Sequence, residues 1–155
     1  MTEHHLELFA DYCQFYLQDI SSATDLSDAW TDESVQRMLA VAPGVVGVGT
    51  ARNETVPVTV ITLTSAPPLD LSDWDHVTEC SLAVPTGEVV IAGSTDYLPT
   101  AKRVSVSPGV YRVRVSYGGL STISADGFDG DDRYRVQLWP QAACPIAVLK
   151  DRAAG

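Results

Sequence analysis

The sequence predicts an all-β fold, an antiparallel β-sandwich carrying one short α-helix, and three observations predict it. Two segments, VYRVRVSY from Val110 and RYRVQLW from Arg133, alternate apolar and polar residues with the period of a strand. Most other apolar runs are short and separated by Pro- and Gly-bearing turn signals. Only the stretch after Trp30 combines helix-capping chemistry with helical spacing of its apolar residues. With 155 residues, no internal repeat and no linker, one domain spanning residues 1–155 is expected. A chain of this size buries roughly 70% of its unfolded surface, so no disulfide or metal staple is required.

Taken in order, Leu6 to Leu17 carries Phe9, Tyr12, Phe15 and Tyr16 and reads as a long first strand, with a bulge near Asp11. Ser21 to Ala29 is a polar connection. Thr31 then N-caps a helix whose first turn carries Asp32 and Glu33, with Trp30 stapled onto Val35. Val35, Met38, Leu39 and Ala42 form its apolar stripe, and Pro43-Gly44 stops it. Val45 to Ala51 and Val56 to Thr64 read as a hairpin over Arg52-Asn53-Glu54. A loop from Ala66 ends near Asp73, and His76 to Val84 and Glu88 to Ala92 flank the turn Pro85-Thr86-Gly87. Arg103 to Val106 is a short strand before Ser107-Pro108-Gly109, which leads into the hairpin from Val110 to Trp139. Ile146 to Leu149 is the last of eight or nine expected strands.

The chain has 20 acids against 10 bases, a net charge of −10. Such a field opposes direct binding to nucleic acid or to an anionic membrane and favours a basic protein partner. Cys13, Cys80 and Cys144 are odd in number, with no C-x-x-C, so they read as free thiols in a reducing compartment. MTEHHLELFADY has no basic region followed by an apolar run, and no segment reaches membrane-spanning length. A cytoplasmic protein without membrane insertion is expected.

Four arginines, Arg112, Arg114, Arg133 and Arg135, fall on one face of the Val110 to Trp139 hairpin. They form either a site for a small anionic ligand or a face neutralised by carboxylates of neighbouring segments. At the hairpin tip Asp126, Asp129, Asp131 and Asp132 lie within seven residues around Phe128. The spacing is wrong for an EF-hand, which leaves a protein-binding loop, a plain surface loop or an irregular calcium site. No metal and no cofactor is expected. His76 and Cys80 share a strand face without a second ligand pair and read as core. Gly44, Gly47 and Gly49 follow a helix instead of opening one, so close strand packing explains them better than phosphate binding. No G-x-S-x-G, no H-E-x-x-H and no paired acid/base signature occurs, so catalytic residues are expected to be absent.

Tyr12-Cys13-Gln14-Phe15, Trp30-Thr31-Asp32-Glu33 at the helix start, Arg52-Asn53 between two strands and Pro108-Gly109-Val110-Tyr111 together resemble the competence protein J family. The resemblance runs from about Leu6 to Trp139, with residues 118–132 and the tail after Trp139 as elaborations. Members of that family inhibit a DNA-entry nuclease. The resemblance therefore implies a non-catalytic inhibitor or immunity-type protein that blocks a DNA nuclease. An acidic partner can fill a groove built for phosphates by charge complementarity. The contacts expected to carry this are Asp126, Phe128, Asp129, Asp131 and Asp132, with Asp32 and Glu33 as a second contact.

Overall fold

A computed structural model describes residues 1–154. Eleven strands build two sheets that pack face to face. The strands are β1 (Thr2–Phe9), β2 (Gln14–Asp19), β3 (Leu39–Ala42), β4 (Val45–Gly49), β5 (Thr55–Thr62), β6 (His76–Val84), β7 (Glu88–Gly93), β8 (Lys102–Ser105), β9 (Gly109–Gly118), β10 (Arg133–Pro140) and β11 (Ala147–Lys150). One sheet has the order β1-β5-β10-β9-β6-β11 and the other β3-β4-β2-β7-β8. Every pairing is antiparallel except β10 with β5, which runs parallel. No described helix is long and apolar enough to cross a membrane.

The alternation seen in the sequence sorts the side chains as expected. Tyr111, Val113, Val115 and Tyr117 of β9 and Tyr134, Val136 and Leu138 of β10 face the second sheet. There they meet Phe15, Leu17, Val46, Val48 and Ile91 in one buried core. The hairpin register sets Val115 opposite Val136 and Arg114 opposite Gln137. No two arginines stand directly opposite, since Arg112 faces Trp139 and Arg135 faces Ser116. The like-charge clash expected of a paired arginine ladder is thus avoided by register alone.

Four local readings are corrected. The expected first strand is two strands in different sheets. The chain turns at residues 10–13 with Tyr12 and Cys13 at φ 60° and 56°, left-handed values that only a constrained turn imposes on non-glycine residues. The helix α1 spans only Asp32–Arg37, because Met38 takes the left-handed conformation (φ 60°) and ends it. Leu39 and Ala42 belong instead to β3, and Pro43-Gly44 is the β3–β4 turn. Val35 is 58% exposed, so the Trp30–Val35 staple does not form; Trp30 lies against the Leu26, Ala40 and Val45 cluster. Finally, the segments flanking Arg52-Asn53-Glu54 do not pair, since β4 and β5 lie in opposite sheets and this link crosses the sandwich. The Pro85-Thr86-Gly87 link between β6 and β7 crosses in the same way.

Other expectations hold. Thr31 accepts a hydrogen bond from the Ser34 amide while Ser34 Oγ accepts from the Thr31 amide, a reciprocal cap with serine in place of the usual acid. Gly47 and Gly49 are close-approach positions. A Cβ at Gly47 would meet Leu26 Cδ1 at 2.6 Å, and one at Gly49 would meet the Met38 backbone at 3.2 Å.

His76 and Cys80 are fully buried, as read. Burial pushes the Cys80 thiol up to about 12, which keeps it protonated and unreactive. The His76 ring packs edge-on against Tyr117, its Nε2 lies 2.7 Å from the Arg37 carbonyl, and its Nδ1 accepts from the Arg152 amide at 3.1 Å. Those partners fix the neutral tautomer with the proton on Nε2. Burial holds the His76 pKa below its ordinary value. Between the unfolded value of about 6.5 and the lower folded one, the unfolded chain binds the extra proton, so stability falls as pH falls. Thermal midpoints should therefore drop from pH 7 to pH 5.5, where most carboxylates are still ionised. In His76→Gln, which keeps a donor for Arg37 but cannot titrate, that slope should flatten.

Candidate functional site

The hairpin loop between β9 and β10 is an ordered structure, and its order starts at a buried ion pair. Asp132, only 1% exposed, lies 2.5 Å from Arg52 Nε through Oδ1 and accepts from the Tyr134 hydroxyl at 2.6 Å through Oδ2. The Tyr134 oxygen in turn accepts from the Ala51 amide at 2.7 Å. Arg52 Nη1 reaches on to the Phe128 carbonyl at 3.2 Å. The sheet-crossing link at residues 50–54 is thereby clamped to the base of the loop. Asp132 is consequently a structural residue, and its burial removes it from the contact set expected for a partner.

Beyond that clamp the loop hydrogen-bonds to itself. The Asp126 carboxylate accepts from the Ser124 hydroxyl and from the Phe128 amide, and these bonds hold its carboxyl below the ordinary range. The Asp129 amide donates to Ser124 Oγ at 3.0 Å and the Asp131 amide to Thr122 Oγ1 at 2.7 Å. Ser124 N–H bonds back to the Asp129 carbonyl at 2.7 Å. None of these bonds uses the carboxylates of Asp129 or Asp131, and both residues are exposed. Phe128 is 60% exposed between them. Among the described residues no three His, Cys, Asp or Glu side chains converge as a metal would need.

Asp32 and Glu33 are exposed on the first turn of α1. Glu33 lies 3.7 Å from Arg37 one turn on, while Asp32 has no ion-pair partner among the described residues. A cleft of about 600 Å³ lies between α1 and the hairpin loop. Trp30, Val35, Met38, Tyr12, Leu120 and Ile123 line it. The fold thus brings Leu120 and Ile123 of the loop and Trp30 and Val35 at the helix, remote in sequence, to the lining of one cavity. Tyr12 and Val35, 77% and 58% exposed, were not legible as surface residues, because nothing in their sequence neighbourhood marks the left-handed turn or the early helix stop.

The arginine face is covered. Glu79 of β6 holds Arg112 Nε at 3.1 Å with one oxygen and Arg114 Nε at 2.8 Å with the other. Arg112 also donates to the Cys144 and Pro145 carbonyls at 3.0 and 2.8 Å, and Arg114 to the Pro67 carbonyl at 3.1 Å. Asp70 takes Arg135 through both oxygens, at 2.7 and 2.8 Å, which lowers its pKa. Arg133 stacks 3.9 Å over Trp74 and donates to the Asp73 carbonyl. The four guanidinium groups pin the 63–74 and 140–146 segments across the sheet, and carboxylates of this chain supply the countercharge of Arg112, Arg114 and Arg135.

Among solved structures, the chain matches ComJ from Bacillus subtilis, described as an inhibitor of the DNA degrading activity of NucA. The TM-score is 0.65 at 17% identity, over 91% of this chain and 96% of that one. The chain has the ComJ fold. A second structure, described as Crocagin biosynthetic gene J, matches with a TM-score of 0.61 at 22% identity over 91% of this chain and 99% of that one. No family model and no curated protein matches the sequence. Within the ComJ-like fold, Thr31 caps α1, Asp32 and Glu33 lie on its first turn, and Arg52 belongs to the clamp under the acidic loop.

The clamp and the helix-surface pair should differ sharply in worth. Arg52→Ala leaves the Asp132 carboxylate buried without its countercharge and should cost about 3–5 kcal/mol. Glu33→Ala removes an exposed i,i+4 pair, worth about 0.3–0.5 kcal/mol. Urea denaturation of both variants measures the difference, and a cost below about 1 kcal/mol for Arg52→Ala would refute the clamp.

Proposed function

We propose that this protein is a non-catalytic, acidic inhibitor of a DNA nuclease, binding a basic groove that otherwise grips phosphates. The observation that carries the reading is the preorganised loop, which presents Asp126, Asp129 and Asp131 to solvent around an exposed Phe128. Order already present in the free protein does not have to be acquired on binding, so the charges act at their full complementarity. Asp32, with no ion-pair partner among the described residues, adds a contact from the helix start, and Glu33 extends it. The likeness to an inhibitor fold and the net charge of −10 both support this assignment. The arginine face offers less to an anionic ligand, because Glu79 and Asp70 already stand where such a ligand would bind.

The test is inhibition of DNA degradation by nucleases of the host, followed by binding kinetics on the nuclease that responds. Asp129→Asn, Asp131→Asn and Asp32→Asn combined should slow association about tenfold and reduce its salt dependence, with little effect on thermal stability. Phe128→Ala should act chiefly on dissociation. Full DNA degradation by every host nuclease in the presence of excess protein would reject the function. Unchanged association and salt slope for the triple variant would reject the surface.

A further inference from the structure

The acids account for attraction, but the middle of the same surface is apolar. Tyr12 stands 77% exposed on a turn of two successive left-handed non-glycine residues. That turn is held from both sides. The Cys13 amide donates to Asn53 Oδ1 at 3.0 Å and to the Ala10 carbonyl at 3.1 Å, and the Cys13 carbonyl accepts from the Thr50 amide at 2.9 Å. Backbone in this conformation persists only where its surroundings enforce it, and such sites concentrate at binding surfaces. Val35, which lines the same cavity, is 58% exposed. Trp30, Met38, Leu120 and Ile123 line the space between them.

Acids adjoin these lining residues in the sequence. Asp11 adjoins Tyr12, and Asp32 and Glu33 lie a turn before Val35. The acidic run follows Ile123, whose Cδ1 is so near Gly130 that an added Cβ there would meet it at 2.6 Å. Arg37 is occupied by Glu33 and the Leu39 carbonyl, which leaves Arg152 as the base at one side of the cleft. An apolar pocket inside a charged rim is the arrangement in which the centre carries affinity and the rim excludes water and selects the partner.

From this arrangement, and resting on the inhibitor reading above, we infer that the cleft receives an apolar side chain of the basic partner. That side chain has the size of Leu, Ile, Met or Phe and is ringed by Lys or Arg that meet the acidic rim. The loop then governs how fast the complex forms, and the cleft governs how long it lasts.

The test uses the full chain, labelled with ¹⁵N, and two probe peptides, acetyl-RRLRR-amide and acetyl-RRSRR-amide. The leucine peptide should shift the amides of residues 12–14, 50–51 and 120–123 and bind at least fivefold more tightly than the serine peptide. Tyr12→Ser with Val35→Ser should abolish that preference while leaving serine-peptide binding unchanged. Both side chains are exposed, and retained dispersion of the amide spectrum checks the fold; Val35→Ser alone should halve the preference or more. Equal affinity for the two peptides, or shifts confined to residues 126–131, would overturn the inference. Nuclease assays run in parallel separate the two claims. Leucine-peptide seating without inhibition of any nuclease leaves the cleft standing and removes the inhibitor reading. Inhibition without a response in the cleft does the reverse.

Discussion

The contact on which the rest of this surface depends is the pairing of Arg52 with Asp132. A carboxylate with 1% exposure is unfavourable in a protein interior unless its oxygens are matched, and here each has its own partner, Arg52 on one and Tyr134 on the other. Because Arg52 lies on the link between the sheets and Asp132 at the root of the hairpin loop, the pair joins two regions 80 residues apart in sequence. The Tyr134 ring continues the connection inward, edge-on to Phe15 of one sheet and to Tyr117 of its own. Tyr117 reaches the Met38 carbonyl at the end of α1, and the His76 ring lies beside it. Loop, crossing link, helix end and C-terminal turn are therefore anchored to one run of aromatic rings through the core.

A second network works on the opposite face of the larger sheet. Two arginines share one glutamate and spend further donors on backbone carbonyls of the covering segments, while a third takes both oxygens of Asp70. Charge-assisted bonds to carbonyls substitute for the hydrogen bonds those irregular segments cannot make to strands. Basic residues are scarce in this chain, and these four hold structure together. The exposed acids of the loop and of the helix start therefore meet few bases.

Much of this was legible in the sequence. The strict alternation of Val110 to Tyr117 and Arg133 to Trp139 gives both the hairpin and the division into core and arginine faces, since a period of two leaves no other placement. Thr31 announces the helix start correctly because capping is local chemistry. What was not legible is where the chain changes sheets. Tyr12, Cys13 and Met38 turn the backbone in a conformation ordinarily marked by Gly or Asn, and tertiary hydrogen bonds hold them there. Pro43-Gly44 is a true turn signal, but whether it ends a helix or joins two strands is decided by Met38 five residues earlier. Asp132 belongs in sequence to an acidic run and in space to the core, a distinction set by Arg52 far away.

The parallel pairing of β10 with β5 has a consequence for how such a chain folds. β5 ends at Thr62, and the strand that lies beside it begins only at Arg133, so the middle of the larger sheet stays open until the last quarter of the chain is available. Closing a loop of that length before any contact is gained slows folding, and meanwhile the edge of β5 from Val58 to Thr62 that β10 will cover stands unpaired. Synthesis from the N-terminus would therefore produce a long-lived, sticky half-sheet. The excess of negative charge keeps such chains apart by repulsion while they wait for their final hairpin.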